Sequence, residues 1–225
     1  MGFVSEVVGH VGRRSSNPWP HARNFNNLTR AGHGFVTGRI QSTPWHMGSL
    51  DPESVSLAST FAQLHEQGVL TIESQPGHCN RDEQKKSYLI GFLPSKHARE
   101  LDAALRRKGI VTYFYEYRTG RSFGSMDAYV RSHDEARVLT KERYGDTFKP
   151  YTFIPHKHME EAAKNGLNML DSAAAKKDMI DRVCFFQLNN PEFCASPGVE
   201  IVLLKEIKAI RNARQRPGDN AAATR

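Results

Sequence analysis

Residues 86–117 read KSYLIGFLPSKHARELDAALRRKGIVTYFYEY, and they show the clearest secondary-structure pattern of the chain. Its two ends are apolar and rich in aromatic and β-branched residues, which is typical of strands. Pro94 and Ser95 open the segment between them, where apolar residues recur at helical spacing as far as Gly109. A strand, a helix and a second strand in this order predict a crossover unit whose two strands are parallel and adjacent or nearly so.

The segment upstream adds a helix and a strand. Asp51, Pro52 and Glu53 are residues typical of a helix start, because Asp can cap free amides, Pro suits the first turn and Glu favours the positive end of the dipole. The apolar spacing that follows predicts a helix over 52–67. The short apolar run 69–72 predicts a buried strand.

The segment downstream of the crossover unit is less regular. Its apolar spacing predicts helices over 157–168 and 199–214, while residues 178–189 fit either a strand or a helix. We therefore expect an α/β domain, with α+β as the other possibility. The expected domain is single, and its mixed sheet of about four to six strands packs against helices.

Composition divides the chain into three parts. Residues 1–48 are rich in Gly, Asn, Ser, Pro and His and show no periodicity, which predicts an irregular basic arm. Apolar residues such as Trp19 indicate that part of this arm docks on the core, and residues 35–40 could form a short strand. Residues 49–216 contain the α/β domain, and residues 217–225 are expected to be a flexible tail.

The net charge of +7 is concentrated near the two ends of the 225-residue chain. No carboxylate occurs from residue 7 to residue 50, and the C-terminal stretch 205–216 contains five Lys or Arg but a single Glu. Such ends attract polyanions, so nucleic acid is the first partner to consider, although basic termini can also act only to keep a protein dissolved. The cations expected to bind a partner are Arg13, Arg14, Arg23, Lys205, Lys208 and Arg211.

Several classes of protein are disfavoured. No apolar run reaches the roughly 18 residues that a membrane span needs, and the N-terminus does not resemble a secretory signal. Three cysteines make no disulfide framework and fit a reducing compartment, so we expect an intracellular protein. Phosphate-loop and dinucleotide motifs are absent, and His156 and His158 lack companion ligands, so neither a cofactor nor a metal site is expected.

A long polar loop, residues 75–85, follows the predicted strand at 69–72. Loops of this length are often functional. Glu73 and Gln75 should share one strand face, where a carboxylate and a carboxamide could bind a base edge or an amide. Alternatively, the polar side chains could simply bond the turn at Pro76 and Gly77. The candidate binding residues of this region are Glu73, Ser74, Gln75 and His78.

The tyrosines at 113, 115 and 117 occupy alternate positions of the second crossover strand. With Arg118 and Arg121 nearby they could stack on single-stranded nucleic acid. The commoner arrangement is a sheet face covered by a helix, with the hydroxyls reaching the edge.

Residues 68–77, GVLTIESQPG, resemble the pattern G-F-x-T-x-x-S-Q-P-G of an uncharacterised family of actinobacteria and large DNA viruses. Similar features extend upstream to the region of Trp19 and downstream to Tyr117, which is roughly half of the chain. The family supplies no established activity. Its viral members imply a virion-associated or capsid-assembly role.

Two functional hypotheses follow. The first is a binding or assembly protein that engages nucleic acid or another protein through the arm and the C-terminal helix. The alternative is a small hydrolase or nuclease whose site lies at the loop from Glu73 to Lys85 and uses Glu73 with a remote histidine. The sequence leaves open whether the protein is an enzyme and what its oligomeric state is.

Overall fold

The computed structural model describes residues 17–79, 84–125, 156–193 and 197–215, along which helices and strands alternate. The helices are α1 (Phe25–Val36), α2 (Ala58–Glu66), α3 (Ser95–Arg107), α4 (His156–Asn168), α5 (Ala173–Arg182) and α6 (Val199–Gln215), with a 3₁₀-helix (Pro52–Leu57) before α2. The strands are β1 (Leu70–Gln75), β2 (His78–Cys79), β3 (Gln84–Pro94), β4 (Val111–Glu116), β5 (Arg121–Gly124) and β6 (Val183–Phe193).

The strands form one sheet in the order β1-β3-β6-β4-β5, and β2 pairs with the first residues of β3. The α/β class is confirmed, since one domain combines this sheet with helices on it. The prediction of a mixed sheet is wrong for the described strands, because every neighbouring pair is antiparallel. β3 and β4 run parallel as predicted, but β6 lies between them and is antiparallel to both. The sequence of the crossover unit could not show this insertion, since β6 comes from about 70 residues further along the chain.

Helices cover both faces of the sheet. On one face, α1, α4 and α5 enclose a core in which the rings of Phe92 and Phe185 meet at 5.8 Å. On the other face, α2, α3 and α6 enclose a second core around Phe114 and Phe186. Phe185 and Phe186 are neighbours on β6 and point to opposite faces, as the alternation of a strand requires. The domain therefore has three layers.

The prediction of an irregular arm over residues 1–48 is wrong for residues 25–36, which form α1. The Asn24 side chain caps this helix by accepting from the backbone N–H of Asn27 at 3.0 Å. The sequence did not predict this helix, because it contains Gly32 and other poor helix formers. Glycine fits at position 32 because a Cβ atom there would lie 2.8 Å from a side-chain atom of the buried Leu70. The docking of this segment on the core is confirmed, because Leu28 is fully buried.

The chain turns after α1, so the short strand expected over 35–40 is also wrong. Gly38 has a φ of 74°, a conformation that favours glycine. Residues 1–16 and 217–225, which include Arg13, Arg14 and the predicted tail, lie outside the described residues.

Most other elements match their predictions. The helix expected over 52–67 is the 3₁₀-helix followed by α2, although the Asp51 side chain makes no capping hydrogen bond. The ambiguous segment 178–189 is divided between the end of α5 and the start of β6. Residues 199–214 are helical as expected. Among the described helices, none is long and apolar enough to cross a membrane.

The tyrosine stripe of β4 belongs to the core. Tyr113 and Tyr115 are buried, and the hydroxyl of Tyr117 donates to the carbonyl oxygen of Ala163 on α4 at 2.5 Å. These rings are covered by helices and are not a stacking platform.

A bulge in β1 shapes the edge of the sheet. Thr71 lies opposite Gly91 and Glu73 lies opposite Ile90, so Ile72 is one residue more than β3 can pair. A Cβ atom on Gly91 would lie 2.3 Å from the carbonyl oxygen of Leu70, which is backbone and cannot swing away. Only glycine therefore allows β1 to approach β3 in this register.

We predict that Gly91→Ala lowers the free energy of unfolding by about 2 kcal/mol, because the added methyl group forces the two strands apart. Chemical denaturation followed by circular dichroism measures the change. Ser122→Ala, on the exposed edge strand β5, is the control and should change stability by less than about 0.5 kcal/mol. Equal stabilities of the Gly91→Ala variant and the native protein would show that the strands can separate at no cost.

Candidate ligand-binding cleft and basic surface

A cleft of about 400 Å³ runs along the outer edge of β1. The segment 43–54 forms one wall and α4 forms the other. Its apolar lining includes Phe35, Trp45, Phe61, Ile72, Ile90 and Phe185. Its polar lining includes Thr43, His46, Asp51, Ser54, Glu73, Ser74 and Asn165. A concave apolar site with a few polar groups is the usual form of a small-molecule site.

Trp45 holds the wall of the cleft in place. Its indole Nε1–H donates to the carbonyl oxygen of Gly166 on α4 at 2.8 Å. Its ring packs against Trp19 and Phe92, with 5.7 Å between ring centroids in each case. Thr43 fixes the adjoining turn, since its hydroxyl oxygen accepts from the backbone N–H groups of residues 45 and 46. These contacts attach this wall of the cleft to α4 and to the core.

His46 lies in the same turn and lines the cleft with Glu73. Its Nε2 atom is 2.8 Å from the carbonyl oxygen of Ser49. Because a carbonyl can only accept, Nε2 carries the proton, and Nδ1 of the neutral ring is an acceptor. The hydrolase alternative required a remote histidine near Glu73, and His46 is the histidine that the fold brings to this cleft. The sequence alone did not indicate His46, because it lies far from Glu73 along the chain.

Glu73 accepts a hydrogen bond from the hydroxyl of Tyr88 at 2.6 Å. Burial, and next the hydrogen bond to Glu73, raise the pKa of Tyr88 above its ordinary value of 10.0. The phenol therefore remains protonated and donates to one carboxylate oxygen. Glu73 itself is exposed at the mouth of the cleft.

Ser74 and Gln75 point away from each other. Ser74 lines the cleft, with its hydroxyl 3.5 Å from that of Ser54. The Gln75 amide donates to Glu53 at 3.2 Å and to the carbonyl oxygen of Pro76 at 3.3 Å. Gln75 thus bonds its own turn, which was the alternative expected for it.

Two further sequence predictions concern His78 and metal binding. The side chain of His78 lies outside the described residues. Among the described residues, no group of three or more His, Cys, Asp or Glu could hold a metal ion.

The inner edge of the cleft is tied to α2 by His65. Its Nε2 atom accepts from the backbone N–H of Thr71 at 3.2 Å and lies 3.0 Å from the Thr71 hydroxyl oxygen. Burial, and next the charge of His33, lower the pKa of His65 from 6.5 to about 3. A protonated ring would lose this acceptor, so the neutral ring is part of the native structure.

A basic surface lies on the layer formed by α2, α3 and α6. We define the α6 basic surface as Lys96, Lys205, Lys208, Arg211 and Arg214. Lys208 donates to Gln63 on α2 at 2.7 Å, and Arg214 bonds the carbonyl oxygen of Lys96 and the carboxylate of Glu100 on α3. Lys205 is exposed, and neither Lys205 nor Arg211 forms an ion pair with a described carboxylate.

Burial and the positive charges of this surface lower the pKa of the nearby His97. Desolvation lowers its pKa first, and the charges of Arg214, Lys96 and Arg211 lower it further. The three cations therefore converge where the end of α6 meets the start of α3. Lys96 and Arg214 were not among the predicted site residues, because their closeness depends on helix packing.

The described cations of the N-terminal segment are more dispersed. Arg23 is exposed just before α1. Arg39 bonds the Thr37 hydroxyl at 3.2 Å and the ring nitrogen of His33 at 2.8 Å. Arg39 is thus occupied by its neighbours, while Arg23 faces solvent.

A family model described as a domain of unknown function, DUF6919, matches residues 14–181. The match includes every cleft residue except Phe185 and stops before β6 and α6. A search of curated proteins gives no significant match. The S-Q-P-G pattern and the actinobacterial and viral distribution remain predictions from the sequence.

We predict that His65 makes the protein less stable as the pH falls from 6.5 towards 3. The unfolded chain takes up a proton at His65 near pH 6.5, whereas the folded protein does so only near pH 3. This difference removes up to about 1.4 kcal/mol of stability per pH unit. His65→Gln keeps an acceptor for Thr71 but cannot titrate, so its unfolding free energy, measured in urea across this range, should fall less steeply. Parallel curves for the two proteins would contradict the assignment.

Proposed function

The chain belongs to the DUF6919 family, and we propose that it binds nucleic acid through the α6 basic surface. The observation that supports this proposal is that, in the part of the chain that the structure describes, Arg214 is the one cation of this surface that pairs with a carboxylate. Lys205 and Arg211 have no described carboxylate partner, and Lys208 bonds a neutral amide. Cations on a fixed scaffold attract phosphate groups and release the counterions that phosphates hold.

The acidic residues of α3 and α6 cannot cancel this charge. Asp102 is paired with Arg106 at 3.2 Å, and Glu100 is paired with Arg214. Glu200 is 3% exposed, so its carboxylate is buried beneath the surface, and burial raises its pKa. Glu206 is the remaining carboxylate of these two described helices. A net positive field therefore extends from this side of the domain.

The N-terminal cations are proposed to extend the same function. Arg23 is exposed and available for phosphate contacts, and Arg13 and Arg14 precede it in a segment without carboxylates. The virion-associated or assembly role implied by the sequence resemblance stays a prediction, as does the intracellular location.

The double variant Lys205→Gln, Arg211→Gln tests the proposal. Fluorescence anisotropy measures its binding to labelled single-stranded DNA, duplex DNA and RNA of about 20 nucleotides, at a low and a moderate salt concentration. Each lost phosphate contact lowers the slope of log K against log salt by about 0.9 for duplex DNA. We expect weaker binding of all three probes and a slope lower by about 1.8 for the duplex.

The matched control is Lys176→Gln, Lys177→Gln on α5, which removes the same charge from the opposite layer. It should bind nearly as tightly as the native protein, because Lys176 and Lys177 lie away from the proposed surface and their loss removes no phosphate contact there. Equal loss in the two double variants, or binding that does not depend on salt, would contradict the proposed surface. Urea unfolding of both variants separates loss of binding from loss of fold.

A further inference from the structure

The cleft along β1 carries a second binding site, independent of the α6 basic surface. We propose that it binds a small organic cation, an amine with an aromatic or aliphatic body, whose ammonium group lies at the carboxylates of Asp51 and Glu73. The apolar body would lie against Trp45 and the residues beneath it. Four features of the cleft point to this class of ligand: its volume, its apolar lining, the negative charge at its mouth and a buried hydroxyl.

The interior of the cleft suits an apolar body. Phe61 and Phe185 are 1% exposed and belong to its lining, while Trp45 forms part of its wall. The indole N–H of Trp45 is already bonded to Gly166, so the ring offers a ligand its π-face and edges rather than a donor. About 400 Å³ accommodates a bicyclic aromatic group with a short side chain.

The mouth of the cleft is negative. Asp51 and Glu73 are both exposed there, and none of the described residues that line the cleft is Lys or Arg. Asp51 precedes the 3₁₀-helix without capping it, and Glu73 accepts a hydrogen bond from Tyr88. Two carboxylates at a mouth where no described lining residue is a cation favour a positively charged ligand.

A buried hydroxyl faces the same space. Ser54 is 3% exposed and lines the cleft, and its nearest polar partner is the Ser74 hydroxyl at 3.5 Å. That distance exceeds the 2.5–3.0 Å typical of O–H···O bonds. Because this contact is long and a hydroxyl oxygen has two lone pairs, Ser54 can also accept from a ligand N–H. His46 adds an acceptor, since its Nε2 atom is already a donor to Ser49.

Three probes with the same indole body test the charge preference: tryptamine is a cation, tryptophol is neutral and indole-3-propionate is an anion. ¹H–¹⁵N NMR titration of the full chain follows the backbone amides of residues 72–74 and the indole N–H of Trp45. The chain has two tryptophans, and the other, Trp19, does not line the cleft but packs against Trp45, so its indole signal should shift less than that of Trp45. We expect tryptamine to shift the cleft signals, tryptophol to bind more weakly and indole-3-propionate to leave them in place.

Variants connect the preference to the two carboxylates. Glu73→Gln keeps an acceptor for Tyr88, and Asp51→Asn keeps the shape of an exposed side chain, so both should fold. Each should weaken tryptamine binding about fivefold, which is the effect of a partly exposed ion pair of about 1 kcal/mol. Asp181→Asn, an exposed carboxylate on α5, should leave it unchanged.

Three outcomes would overturn the proposal. The first is equal binding of the three probes, which would make the cleft a non-specific apolar site. The second is tryptamine binding that Glu73→Gln and Asp51→Asn do not weaken. The third is the absence of any shift in the cleft signals. None of these outcomes bears on nucleic-acid binding, because the α6 basic surface shares no residue with the cleft.

Discussion

The close approach of two backbones at Gly91 is the constraint on which the rest of the site depends. The carbonyl oxygen of Leu70 occupies the space where any other residue at position 91 would place its Cβ atom. β1 can then pair with β3 on both sides of the bulge at Ile72. Past the bulge, Glu73 lies opposite Ile90 and accepts a hydrogen bond from Tyr88 at the mouth of the cleft.

The cleft exists because other elements cover the free edge of β1 but leave an open space beside it. α1 crosses this edge, with its first residues in one core and its last residues in the other. The segment 43–54 is fastened to α4 by Trp45, and His65 fastens α2 to Thr71. Protected edges prevent aggregation, and here the protection leaves an apolar space between its parts. The three-layer fold also separates two charged regions, a negative mouth beside β1 and a positive surface where α3 meets α6.

Strong local patterns made part of this structure predictable. α3 and the strands on either side of it follow from periodicity, a proline start and a glycine stop that all agree. The expectation that Glu73 and Gln75 share a strand face agrees with their pairing opposite Ile90 and Tyr88. Lys205 and Arg211 form no ion pair with a described carboxylate, and their role in binding a partner stays a prediction.

Other features could not be predicted because distant contacts determine them. α1 contains glycines, which are poor helix formers, and only the folded structure shows that the side chains of Leu70 and His65 pack against Gly32. β6 inserts between β3 and β4 by pairings that span about 70 residues or more. His46 reaches the cleft through the turn that Thr43 holds, and the proximity of Lys96 to Arg214 arises from helix packing.

The central claim is that two separate regions of one domain carry sites of opposite charge, the cleft beside β1 and the α6 basic surface. Amide hydrogen exchange of the full chain with and without duplex DNA tests it most directly, because one experiment observes both regions. We predict slower exchange at the start of α3 and the second half of α6, with residues 71–74 unchanged. Slower exchange at residues 71–74, together with no change in α6, would contradict the account.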